Sequence, residues 1–413
     1  MSELDWTNIA AASIATPAAG VTAGFTDTAD KRTKTRDDTG ALNILNNDGL
    51  QDRNLLDNGS LMIQQRVATA STVITGMTTT TRGGVVADRW AVTTSVATNL
   101  NWAQIDATGS PETNLSSRYY GSIISSTAGK KVMISQFLVG SQMMHLRGKI
   151  VRFSLKHNQK VGSGQTYKLG VIQLQAAGTV DAPPAFLSGA WSTSSGVDPA
   201  WNTNTAVITP ETVPTAENGT VTGNYVNVTT VATTWTRSSG CWTIPTNCKG
   251  LYVVLFSDAT GGTTDNISIA ELQLTQGYEI VDFVQTPDEE ELNRCQTFYC
   301  KTFAATTVPA QNIGISKGEA FGITGLAGAV ALAGIIPWRF PMRMWKTPTT
   351  ITLYNPAAAN ALMRMTARAA DMGATAAVTH LDSSVVVTAT GVAATAVGDQ
   401  IGIHITADAE VVV

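Results

Sequence analysis

Between residues 267 and 303 the chain changes its periodicity, and this change constrains the fold more than any other feature. In ISIAELQLTQG, Ile267 and Ile269 share one parity and Leu272 and Leu274 the other, so a strand's apolar face slips by one residue near Ala270 and Glu271. A one-residue slip turns every later side chain to the wrong face unless a β-bulge absorbs it, so a bulge is expected there. After YEIVDFVQTP, the run DEEELNRCQTFYCKTF carries the one convincing helical spacing, with Leu292, Cys295, Tyr299 and Phe303 on a single face. Thr286, Pro287 and Glu289 supply an expected N-cap, a first-turn proline and a capping-box partner. The stretch reads as the end of one β-sandwich and the hand-over to the next domain.

The rest of the chain is written mostly in strands. HLRGKIVRFSLKH alternates Val151, Phe153 and Leu155 against Arg152, Ser154 and Lys156, the period of a half-buried strand. TTWTRSSGCWTIP at 233–245 reads as another strand, and LYVVLFS at 251–257 is apolar on both faces. Thr, Val, Ala and Gly abound, only 14% of residues are charged, and turn signals recur at short intervals, as many short strands require. The fold class expected is all-β: a jelly-roll β-sandwich, a second C-terminal β-sandwich domain, one short linking helix and an extended N-terminal segment. The domain limits are 1–50, 51–287 and 288–413.

Composition excludes several functions. A net charge of -4 argues against a nucleic-acid partner, since the one basic cluster, Lys31, Arg32, Lys34 and Arg36, is followed directly by Asp37 and Asp38. The four cysteines form no CxxC pair and read as buried reduced thiols rather than a disulfide framework. The opening MSELDWTNIA is acidic where a secretory signal has a basic region. The charge-free run from Ala320 to Trp338 has the length of a membrane span, but its internal glycines favour two buried strands joined by a glycine turn. No membrane insertion is expected.

No catalytic constellation is legible. The four histidines have no helical i, i+4 pairing, and neither a nucleophile elbow nor a phosphate-binding loop is present. The acids lie mostly in turns or at the helix start, where Asp288 to Glu291 complement the helix dipole. The chain is expected to be no enzyme, with no metal and no cofactor. One binding surface is suggested by the long polar region 182–227, which presents Trp191, Trp201 and Tyr225. Exposed aromatics there would stack sugar rings and form a glycan-binding site; the alternative is that they pin the loop to the sheet or to a neighbouring subunit.

Several motifs resemble structural proteins of bacteriophages and prophages, in particular tail fibres and related virion appendages. Near the N-terminus, Thr16, Pro17, Gly20, Phe25, Asp27, Asp30, Lys34, Asp37, Asp38 and Gly40 match a short module whose aromatic strand leads into an acidic and basic hairpin. Asn54, Leu55, Leu56, Asn58 and Gly59, then Gln65 and Arg66, then Ala87 to Trp90 are similar to the opening of a phage domain with a carbohydrate-binding-module-like jelly roll. Gln273, Leu274 and Gly277 followed by Cys295, Gln296 and Tyr299 match a further pattern. So do Phe340 to Arg343 with Pro348, Thr349 and Thr352, and the closing TADAE at 406–410.

The resemblance implies a virion protein assembled in the bacterial host cytoplasm. It would attach to other virion proteins through Pro17, Phe25, Asp30, Lys34 and Arg36, and present its β domains for host-surface adhesion, with a homotrimer as the expected assembly. A capsid-decorating or head-fibre protein without a dedicated receptor is the alternative. From the residues alone, Asp88, Arg89 and Trp90 read as a buried ion pair capped by an aromatic.

Overall fold

The computed structural model describes residues 53–67, 84–96, 100–109, 114–125, 130–161, 166–175, 187–189, 191–211, 219–228, 234–258, 266–278, 281–305, 307–315, 318–327, 331–392 and 395–410, with residues 15, 16 and 18 and the short strands 8–9, 23–27, 33–36, 42–44 and 72–74. Strand is its dominant regular structure, as expected. The chain is an all-β protein in which a jelly-roll sandwich precedes a second, C-terminal β-sandwich, with the helix Asp288–Gln296 between them. A single further α-turn, Gly140–Met143, occurs among the described residues.

Two antiparallel sheets form the first sandwich. One runs, in spatial order, Gly219–Thr222, Tyr225–Val228, Tyr167–Leu174, Gly250–Ser257, Val132–Leu138, Trp90–Thr94 and Gly84–Ala87, and Thr205–Ile208 also pairs with Tyr167–Leu174. The other runs Thr236–Thr243, Ile150–Val161, Asn266–Gln276, Tyr119–Ser125, Leu100–Asp106 and Thr72–Ile74. Successive strands cross repeatedly from one sheet to the other, which is how a jelly roll leaves few free edges. Val151, Phe153 and Leu155 meet Leu251, Val253 and Leu255 in the core between the sheets.

The strand Gly250–Ser257 is indeed covered on both faces. Tyr252, Val254 and Phe256 enter a second apolar cluster with Leu187 and Trp191. The strand Ile150–Val161 departs from its half-buried expectation, because Arg152 and Ser154 on its polar face are buried too. Cross-strand polar partners make this tolerable: Arg152 donates to Ser239 Oγ at 2.9 Å and Lys156 pairs with Glu271 at 3.0 Å.

The expected bulge is present. Ser154 faces Gln273 while Lys156 faces Ala270, so the strand Asn266–Gln276 carries one extra residue, and Glu271 takes φ 51° to absorb it. The rotation sends the Glu271 carboxylate out to accept from the backbone N–H groups of Ser116 and Ser117.

Two local expectations are corrected. The helix begins at Asp288 with Pro287 as an N-cap that makes no side-chain hydrogen bond, so Thr286 and Glu289 form no capping box. It also ends at Gln296, and Tyr299–Lys301 is a strand pairing with Gln400–Asp408. Thr297, Phe298 and Tyr299 are β-branched or aromatic, and pairing with an available strand outweighs their helical spacing. Region 182–227, read as loop, likewise contains the strands Thr205–Ile208, Gly219–Thr222 and Tyr225–Val228.

The C-terminal sheet is organised around Gln400–Asp408. Its first half pairs with Ala320–Ala327 and its second with Thr350–Tyr354 and Tyr299–Lys301. Ala331–Arg339 and Ser384–Thr390 continue from Ala320–Ala327. The core here is Ile336, Val385, Val387, Ile401, Ile403 and Ile405 with Met344, Met363, Met365 and Met372. The run 320–338 does form a strand pair, but not a buried one: Phe321, Ile323 and Ile335 are at least half exposed. No helix among the described residues is long and apolar enough to cross a membrane.

Near the N-terminus, Ala23–Asp27 pairs antiparallel with Thr33–Arg36, placing Phe25 opposite Lys34, and Thr33–Arg36 pairs onward with Leu42–Ile44. Pro17 and Asp30 lie outside the described residues, as do the side chains of Phe25, Lys34 and Arg36.

Candidate functional site at the domain junction

The segment Asn54 to Gly59 lies along the bulged strand. Asn54 donates from Nδ2 to Leu272 O at 2.9 Å and accepts from Leu274 N at 3.0 Å, and Leu55 N reaches Leu274 O at 2.9 Å. Asn58 turns the chain at φ 54°, and a Cβ on Gly59 would meet Leu272 O at 2.2 Å, so only glycine lets the turn seat this closely. The Asn58 N–H donates to Glu291 of the linking helix, and its side chain bonds Ile63 and the Asp88 carbonyl. This turn is where the sandwich meets the helix.

From it extends a chain of alternating charges. Glu291 stands 3.8 Å from Arg294, Arg294 is 2.8 Å from Asp57, and Asp57 is 3.0 Å from Arg89. Arg89 then reaches Glu410 at 3.3 Å, Glu410 reaches Arg66 at 2.7 Å, and Arg66 reaches Asp408 at 3.1 Å. Arg89 also donates to Phe137 O at 2.7 Å, and its guanidinium lies 3.3 Å from the centre of the Phe298 ring. A buried charge is stable only when paired, and these groups pair with one another across the junction, although Arg66 Nε makes no hydrogen bond among the described residues.

The expectation for Asp88 to Trp90 therefore needs revision. All three are buried, but the ion-pair partners of Arg89 are Asp57 and Glu410 and its aromatic cap is Phe298. Arg89 is the second residue of the two-residue turn between Gly84–Ala87 and Trp90–Thr94 and takes φ 73° there. Asp88 instead accepts from Gln65, and Trp90 donates to Asn58 O at 3.0 Å. Burial pushes the Asp88 carboxyl up to about 6, against the pull of Arg66. Burial also raises Glu291, against the opposing pull of Arg294.

Beside this network a recess of about 320 Å³ opens between the loop 62–67, the helix and the segment 301–308. Leu292, Phe303 and Val67 give it apolar walls. Tyr119, Gln104 and Gln296 bring polar groups, and none of the described lining residues is a carboxylate. Lys301 lines it as well, but its ammonium donates to the carbonyls of Gln65, Ala305 and Thr307 at 2.8–3.0 Å. Burial lowers the Lys301 pKa to about 8, with Asp88 acting the other way.

The aromatics expected to stack sugars do come together, around Phe256. The ring centres of Trp191, Trp201 and Tyr225 lie 5.8, 6.4 and 5.0 Å from it, each edge-on. Trp191 and Tyr225 are buried, so neither offers an open face, and Trp201, half-buried, donates to the Tyr225 hydroxyl at 2.7 Å. The cause is the apolar outer row of Gly250–Ser257, which needs a second layer and takes these rings. Trp191 and Tyr225 thus pack onto the sheet, and Trp201 lies half-buried beside them.

Sequence reasoning missed Asp57, Arg294, Glu291, Tyr119 and Gln104. The turn dipeptide after Asp57 was the one local signal; the others are joined only by the fold. The four cysteines are free and buried, as expected. No group of three or more metal-ligating side chains is present among the described residues.

No family model and no curated protein matches the chain. Solved structures give distant likenesses. One is the family 22 carbohydrate-binding module and xylanase module of Clostridium thermocellum endo-1,4-β-D-xylanase 10B, in complex with xylohexaose: 14% identity, TM-score 0.27, covering 46% of this chain and 26% of that one. Another is the enzymatically active domain of bacteriophage CBA120 tailspike protein 4, with 9% identity and TM-score 0.26, covering 46% and 19%. A third, TmCBM61 with β-1,4-galactotriose, has 11% identity and TM-score 0.29 and covers 55% and 99%. This chain thus spans about a quarter or less of the first two. Likenesses at this level carry no argument about function.

Proposed function

We propose that the chain is a non-enzymatic structural protein of a bacteriophage virion, a fibre or appendage that attaches by its N-terminal segment and presents its β-sandwiches for adhesion to a host-surface glycan. One observation carries the reading. The motifs that resemble phage appendage proteins are hundreds of residues apart, yet Asn58, Gln65, Arg66, Arg89, Tyr299, Asp408 and Glu410 all meet in the one junction. Trp345, next to the Phe340 to Arg343 motif, joins them by donating to Ala409 O at 2.9 Å. A pattern spread along the chain thus encodes one object, a stiff coupling of two β domains, which is what an appendage under load needs.

Homo-oligomerisation belongs to the same reading. The uncharged row of Phe321, Ile323 and Ile335 is the kind of exposed apolar patch that marks an interface. Sedimentation should give a species larger than one chain; a stable monomer at micromolar concentration would remove the trimer. Burial of Trp191 and Tyr225 favours the second reading, a capsid-decorating protein with no dedicated receptor. Immunogold labelling of intact particles with an antibody against residues 54–287 separates the two. Label at the tail supports adhesion, label over the head supports decoration, and an unlabelled particle ends the virion assignment.

A further inference from the structure

We infer that the recess beside the junction is a binding site for one uncharged pyranose unit. The inference deepens the adhesion part of the proposed function and does not depend on the virion part. Among the described residues the Gln296 amide and the Tyr119 hydroxyl make no hydrogen bond to the protein, although both line the recess. Gln104 spends its amide N–H groups on the carbonyls of Leu61 and Met62, at 2.5 and 2.8 Å, which fixes its orientation and leaves its Oε1 as an acceptor.

These groups suit vicinal hydroxyls. Each sugar hydroxyl both donates and accepts, and an amide beside a phenol can do the same, whereas Leu292 and Phe303 face the ring's C–H surface. Charge argues for a neutral sugar. None of the described lining residues is acidic, so nothing there would hold a cationic ligand or carry two-carboxylate hydrolysis. The one cation, Lys301, already has its three protons on backbone carbonyls, so a carboxylate on the ligand would find no free donor from it. At about 320 Å³ the recess is at the lower end of small-molecule sites, room for a ring rather than a long polymer.

Saturation-transfer NMR on the full chain, titrated separately with glucose, galactose, mannose and glucuronate, tests this. At least one neutral hexose should saturate, with glucuronate binding more weakly. Gln296→Ala should weaken binding about tenfold, the scale of one lost polar contact. Val308→Trp, which places an indole at the exposed rim, should abolish it while the melting temperature stays unchanged. Saturation that survives both substitutions would overturn the site but leave adhesion standing elsewhere on the surface. No saturation by any hexose, or tighter binding of glucuronate, would overturn the ligand class.

Discussion

The two β-sandwiches are made of similar strands, yet they treat their outward apolar side chains in opposite ways. In Gly250–Ser257 of the first, the residues facing away from the core, Tyr252, Val254 and Phe256, are covered by the segment carrying Leu187, Trp191 and Trp201. In Ala320–Ala327 and Ala331–Arg339 of the second, Phe321, Ile323 and Ile335 also face away from the core, and they stay 51%, 68% and 50% exposed. Strand alternation thus specifies which side chains share a face. Whether that face is covered depends on a second layer supplied from elsewhere in the chain or from another copy of it.

The comparison breaks most readily at two phenylalanines. Phe153→Ala, in the closed core of the first sandwich, should cost about 3–5 kcal/mol in urea unfolding. A loss below about 1 kcal/mol would mean that this core is loosely packed. Gly121→Ala comes next, because a Cβ there would fall 2.0 Å from Trp102 Cη2, inside the ring's own space. It should cost about 1–3 kcal/mol. Gly334→Ala, in the second sandwich, meets Met372 Sδ at 2.7 Å, the flexible end of a side chain, and should cost less.

Acid sharpens the comparison further. Burial holds His157 of the first sandwich neutral, with its pKa lowered from 6.5 to about 4. The unfolded chain takes up that proton first, so this stability is complete above pH 6.5 and is lost as the pH falls toward 4. Asp88 at the junction runs the other way. Its carboxyl is raised from 3.8 to about 6, so its contribution is complete below 3.8 and is lost as the pH rises through 6. Between pH 7 and 5 the wild type should therefore lose about 1–2 kcal/mol more than His157→Asn, read from urea midpoints at both pH values. Equal losses would place the His157 proton elsewhere. The smallest effect belongs to Phe321→Ser, which should change the free energy by no more than about 0.5 kcal/mol. A loss near that of Phe153→Ala would mean the face is covered.

Much of the fold was legible because it is local. The parity slip at Ala270 and Glu271 marked the bulge, the apolar run 251–257 marked a strand covered on both sides, and Asn58-Gly59 marked a turn. What failed was set by partners distant in sequence. Tyr299 fits a helix by spacing, but the strand ending at Asp408 claims it. Arg89 stands beside Asp88 in sequence and is paired with Asp57 in space. Trp191 in a polar region looks like a surface residue until Phe256 is found beneath it. The recess was illegible for the same reason: Tyr119, Gln104 and Gln296 come from two strands and a helix that only the fold brings together.

The central claim is that the junction makes the two sandwiches one cooperative unit, and Arg89 is its centre, tied to Asp57 and Phe137 on one side and to Glu410 and Phe298 on the other. Scanning calorimetry of the wild type and of Arg89→Met measures this directly. The account predicts a single transition in the wild type. In the variant it predicts two separated transitions, the lower one destabilised by about 3–5 kcal/mol, the scale of breaking a buried pair. Two transitions in the wild type, or a single unshifted one in Arg89→Met, would contradict it.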